Sequence, residues 1–150
     1  MVDLDLRHAE PPPNPLDMAA TTLPPRILLV IPDQWPRALL RAALREVGYD
    51  ASGTRNLNMA LHQTAPEAGR GPVRLVVLDR DALSDENRDT LEELRRTSGA
   101  PIVLLAPVKR RVPEGPWARV FRRPISIGSL VEAIEALIPL PSQAHRPIDE

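Results

Sequence analysis

Three stretches of this chain are apolar at every position, and they constrain its fold more than anything else in it. Ile27-Leu28-Leu29-Val30-Ile31, Leu75-Val76-Val77-Leu78 and Ile102-Val103-Leu104-Leu105-Ala106 are each too short for a stable helix. Short runs this rich in Val, Ile and Leu read as strands covered on both faces, which occur in parallel sheets with helices on either side. In open sheets of that kind, ligands and chemistry collect just beyond the carboxyl ends of the strands. The middle run leads straight into Asp79, so this acid stands at such an end.

The segments between the runs supply the helices. Leu39, Leu40, Ala43, Leu44 and Val47 share a stripe, which predicts a helix from Trp35 to Val47 with Pro36 in its first turn and Gly48 as its stop. Asp50 to Thr54 is a short strand, and Leu57 to Thr64 a second helix with Leu57, Ala60 and Leu61 inward. Ser84 or Asp85 caps a third helix to about Thr97, burying Leu91 and Leu94. Ala118 to Arg122 alternates and reads as an edge strand. Ser126 caps a last helix carrying Ile127, Leu130, Val131, Ile134, Leu137 and Ile138, ended by Pro139 and Pro141. Strands alternating with helices, joined by right-handed crossovers, predict an α/β fold. The best fit is a flavodoxin-like five-stranded parallel sheet of order 2-1-3-4-5, with strands 1 and 3 adjacent at the switch point.

The folded unit is expected over residues 26–140. Residues 1–25 hold six prolines, including Pro11-Pro12-Pro13, and read as a disordered proline-rich tail. Residues 141–150 read as a disordered polar tail. Several function classes find no support. A net charge of −1 does not argue for nucleic acid or membrane binding, and there is no cysteine for disulfide or thiol chemistry. No apolar run reaches the roughly 20 residues that span a bilayer, and Met1 to Asp5 has no signal-peptide character, so a cytoplasmic protein is expected. His8, His62 and His145 lie far apart, the seven glycines form no phosphate-binding loop, and no nucleophilic triad is recognisable. Enzyme function is not expected.

Four segments in order resemble the receiver domain of bacterial two-component response regulators. ILLVIPDQWPRALLRAALREVGYD is similar to its first strand, first helix and entry to the second strand. VRLVVLD resembles the third strand with its phosphoacceptor aspartate, and APIVLLA the fourth strand. VFRRPISIGSLVEAIEALI resembles the fifth strand, the Lys-Pro turn and the last helix. The resemblance covers about residues 26 to 138. It also implies a helix between the last two strands, where Pro107 to Pro116 shows no helical stripe. That helix is therefore expected to be shortened or missing.

The family's chemistry implies a role for each matching position. An aspartate attacks a phosphoryl group, and the charge that develops needs positioned cations and Mg²⁺ held by carboxylates. Asp79 matches the phosphoacceptor. The acid pair after strand 1 falls on Ile31 and Pro32, which ligate nothing, with Asp33 one position further; a metal site has only Asp33 and Asp79 to draw on. The hydroxyl of the switch position is lost at Ala106, and the aromatic switch falls near Val120, with Phe121 beside it. The lysine position holds Arg123, which keeps the charge but not the compact ammonium. The resemblance thus implies a degenerate, pseudo-receiver-like module in which Asp79 pairs with Arg123. It would stand alone in two-component signalling, bind partner proteins independently of phosphorylation, and need no cofactor. The alternative is a phosphorylation-dependent single-domain regulator that accepts phosphoryl from a histidine kinase on Asp79 and uses Mg²⁺. A third reading is a flavodoxin-like domain that binds a small molecule in the same cleft.

Lys109, Arg110, Arg111, Arg119, Arg122 and Arg123 cluster around Trp117, with Glu114 the one opposing charge. In a chain with 18 arginines and one lysine, the bland reading is a solvated edge. The functional reading is a partner face built from Lys109, Arg110, Arg111, Trp117, Arg119 and Arg122. The expected partners are a histidine kinase, another regulator, or a second copy meeting the last two strands and the last helix; membrane and nucleic acid are not expected.

Overall fold

The first apolar run forms strand β1 (Arg26–Val30), and the other two form β3 (Val73–Asp79) and β4 (Ile102–Pro107). Strand β2 (Asp50–Thr54) pairs with the outer side of β1, and β5 (Trp117–Arg123) with the outer side of β4. All pairs are parallel and the order is β2-β1-β3-β4-β5, as the sequence predicts. The computed structural model describes residues 23–65 and 67–141. The expected N-terminal tail lies outside the described residues as far as residue 22, and the expected C-terminal tail lies outside them from residue 142.

Among the described residues four helices cover the sheet: α1 (Gln34–Val47), α2 (Leu57–Gln63), α3 (Arg88–Ser98) and α4 (Ile127–Leu137). Alternation along each strand divides the core in two. Ile27, Leu29, Leu75, Val77, Val103 and Leu105 face α1 and α4, where they meet Leu40, Leu44, Leu130 and Ile134. Leu28, Val30, Val76, Leu78 and Leu104 face α2 and α3, where they meet Leu57, Ala60, Leu91 and Leu94. The three central strands are therefore apolar at nearly every position because both their faces are covered. Edge strand β2 carries Gly53, where a Cβ would lie 2.8 Å from Cγ of Arg37, so α1 packs close over this edge.

Two details differ from the sequence reading. Leu39 (53% exposed) and Val47 lie outside the core, so the buried stripe of α1 is narrower than its apolar pattern. Ser84 does not open α3. It caps a separate 3-10 turn, Asp85–Asn87, in a reciprocal capping box with Asn87, and α3 begins at Arg88. Between β4 and β5 there is no helix among the described residues, as the sequence predicts; a turn and an extended loop replace it.

Candidate functional site

Asp79 is the last residue of β3 and is 1% exposed. A charge in such a place must be paired and hydrogen-bonded. One oxygen, Oδ1, accepts from the backbone N–H of Asp81 at 2.8 Å and so caps the 3-10 turn Arg80–Ala82. The other, Oδ2, accepts from Nη2 of Arg123. Arg123 is the last residue of β5 and precedes a cis peptide bond to Pro124. Strand β4 separates the two, with Leu105 opposite Asp79 and Pro107 opposite Arg123. The guanidinium thus reaches across a strand end to the carboxylate.

The positions aligned with the acid pair carry no acid and are closed from behind. Ile31 is fully buried in the α1–α4 side of the core. Its carbonyl and that of Pro32 both accept from Nη1 of Arg37, at 2.8 Å and 3.1 Å. The main-chain oxygens of both residues therefore face a cation. Asp33 is exposed at the N-cap of α1 and makes no capping hydrogen bond. Asp81 is engaged in an exposed pair with Arg110 at 3.2 Å. Mg²⁺ needs several oxygen ligands in near-octahedral array, chiefly carboxylates and water. Among the described residues no three acidic or histidine side chains gather, and Asp79 has both oxygens engaged. The residues present do not fit the ion.

The remaining aligned positions are apolar. Ala106 is fully buried and packs toward α2 and α3, so it offers a methyl where a phosphoryl oxygen would need a hydroxyl. Phe121 is buried toward α1 and α4, with the Arg119 guanidinium 4.7 Å from its ring centre, while Val120 packs on the opposite side.

The basic residues do not share one surface. A register shift between Ile102 and Val103 sets Trp117 against the α2–α3 side, whereas Arg119 lies over Phe121 on the other. Arg122 and Trp117 bind the loop that stands in place of a helix. Arg122 donates to the carbonyls of Pro107 (3.0 Å) and Arg110 (2.8 Å), and Trp117 Nε1 donates to Pro113 O at 2.7 Å. Arg88 of α3 holds Glu114 O at 2.9 Å. Lys109 and Arg111 remain exposed.

Two features of the site escape a reading of the sequence. Nothing in the sequence singles out Arg37 among the 18 arginines, and its hydrogen bonds to the Ile31 and Pro32 carbonyls depend on the turn between β1 and α1. The second is an apolar cleft of about 460 Å³ between α1, the ends of β4 and β5, and the start of α4, with Arg123 in its wall. Its one sequence signal is that Ile31, where the resembling family has an acid, is apolar.

No family model matches the chain, and no curated protein matches it. Solved structures do. A response regulator from Thermotoga maritima superposes with a TM-score of 0.62 at 16% identity, over 77% of this chain and 98% of that one. A CheY-like response regulator receiver domain protein from Methanospirillum hungatei JF-1 gives 0.63 at 16% identity, over 81% and 98%. The adenylate cyclase from Rhodopirellula baltica gives 0.62 at 20% identity, over 82% and 93%. At such identities the likeness rests on strand order and helix placement, and on those grounds the chain has the fold of the response regulator receiver domains.

Proposed function

We propose that this chain is a receiver-type protein of two-component signalling that works by binding another signalling protein and does so without being phosphorylated. The observation that carries the reading is the state of Asp79. A phosphoacceptor must present a free oxygen as nucleophile, with a cation ready for the incoming charge. Here Arg123 and the Asp81 N–H engage both oxygens, and among the described residues no group of three carboxylate or imidazole side chains gathers to hold a metal. Arg123 neutralises Asp79 itself and not an arriving phosphoryl group.

The partner is a signalling protein, such as a histidine kinase or another regulator, or a second copy of the chain meeting the β4–β5–α4 face. The site holds no resident cofactor, and the protein catalyses no reaction of its own. This reading places the protein in the cytoplasm; no helix among the described residues is long and apolar enough to cross a membrane.

The competing reading, a phosphotransfer protein using Asp79, is favoured by the position of that acid at the end of β3. Incubation with acetyl phosphate and Mg²⁺, followed by intact-mass measurement, separates the two. The proposal predicts no adduct and no stabilisation by beryllofluoride. A stoichiometric phosphoryl adduct that vanishes in Asp79→Asn would overturn it.

A further inference from the structure

The apolar cleft at the carboxyl ends of the strands is built as a small-molecule site. Its volume of about 460 Å³ lies within the range of ligand pockets, roughly 300–1,000 Å³. Ile31, Leu40, Leu105 and Leu130 form a buried floor. Pro36, Pro107 and Pro124 stand around it, and their fixed φ angles make the wall rigid, so little ordering is needed on binding. Val108, 57% exposed, extends the apolar surface at the mouth.

Arg123 is the one charged residue of the lining. A guanidinium has five N–H donors in a planar fork, and the pair with Asp79 uses Nη2. That pair does not use Nε or Nη1, Arg123 lines the cleft, and a carboxylate matches the geometry of the fork. Asp79 limits the choice. Its charge already lies on the same guanidinium, so a dianion such as a phosphate monoester meets repulsion that a monoanion largely avoids. The geometry points to a ligand site for an apolar monocarboxylate, its hydrocarbon body in the cleft and its carboxylate on the remaining N–H groups of Arg123. Asp79 and the ligand then share one cation and oppose each other, whatever protein the chain binds.

Calorimetric titration of the full chain with hexanoate, octanoate and decanoate, and with 1-octanol, tests this. The expected result is saturable binding of octanoate that tightens about fourfold per added methylene until the cleft is filled. Octanol binds about tenfold more weakly than octanoate, the worth of one charge-assisted contact. Arg123→Met removes the preference for acid over alcohol, and Asp79→Asn tightens octanoate by freeing the guanidinium. Val108→Glu, at an exposed position that leaves the core intact, weakens octanoate by placing a negative charge at the mouth. No saturable binding, equal affinity for octanol and octanoate, or octanoate binding unchanged by Val108→Glu would each overturn the inference.

Discussion

Replacing Arg123 by methionine keeps the apolar stem of the side chain and removes the charge that faces Asp79. The two members of this pair are unequal. Asp79 is 1% exposed, whereas the Arg123 side chain retains 31% of its exposure and can be solvated when left alone. Breaking a buried ion pair by removing one partner costs about 3–5 kcal/mol, because a charge is left buried without compensation. The N–H of Asp81 still holds Oδ1, which places Arg123→Met near the lower end, about 3 kcal/mol. Asp79→Asn retains an oxygen acceptor for Asp81 N–H and leaves a half-solvated guanidinium, so its cost is smaller, about 1–2 kcal/mol. The double variant, with no charge left to bury, should be about as stable as Asp79→Asn alone, which corresponds to a coupling of about 3 kcal/mol. Urea unfolding at neutral pH, read as midpoint shifts at constant slope, measures all three. Strict additivity, or a larger loss for Asp79→Asn than for Arg123→Met, would refute the picture of Asp79 as a structural anion served by Arg123.

Three further outcomes follow from the geometry. Tyr49 is buried and its hydroxyl donates to the Ile138 carbonyl; burial, and next the charge of Glu135, push its pKa up to about 12. Its folded value lies above the unfolded value of about 10, so its contribution is full below about pH 10 and is lost as pH rises toward about 12. Tyr49→Phe should cost about 1 kcal/mol at neutral pH and flatten that alkaline fall, read by thermal unfolding across the range. Arg26 is buried at the start of β1 and donates to Gln63 O (2.7 Å) and Gly71 O (3.2 Å), while burial and then the Arg70 charge lower its pKa. Arg26→Met should cost about 2 kcal/mol and speed amide exchange from residue 63 to 71, measured by mass spectrometry. Gly48 ends α1 at φ 121°, where a side chain is strained, so Gly48→Ala should lower stability by about 1 kcal/mol or more in the same unfolding assay.

Much of the architecture is legible in local patterns. Central strands of a parallel sheet must be apolar on both sides, so β1, β3 and β4 announce themselves, and with the helical stripes between them they leave few topologies. Ser126 shows itself as the cap of α4 for a similar reason: its hydroxyl accepts from the N–H of Ser129, three residues on. Amphipathic spacing alone overstates burial. Leu39 and Val47 fit the apolar stripe of α1, yet both face solvent, because only the part of a stripe that meets the sheet is covered.

Chemistry at the strand ends is a different matter, since it is assembled from residues far apart in the chain. The sequence identifies Asp79 as a strand-end acid, Ile31 and Pro32 as residues that ligate nothing, and Ala106 as lacking a hydroxyl, because each of these is a property of one side chain. The sharing of the Asp79 oxygens between Arg123 and Asp81 N–H depends on how β3, β4 and β5 stack in register. The placing of Arg37 behind Ile31 and Pro32 depends on where α1 enters the layer over β1 and β2. The basic cluster is compact in sequence and split in space, because one register shift in β5 sends Trp117 and Arg119 to opposite faces. Periodicity and residue type are local, so the chain displays them directly. Partners, register and the apolar cleft exist only once distant segments have packed, and they turn a lone acid into the buried half of an ion pair.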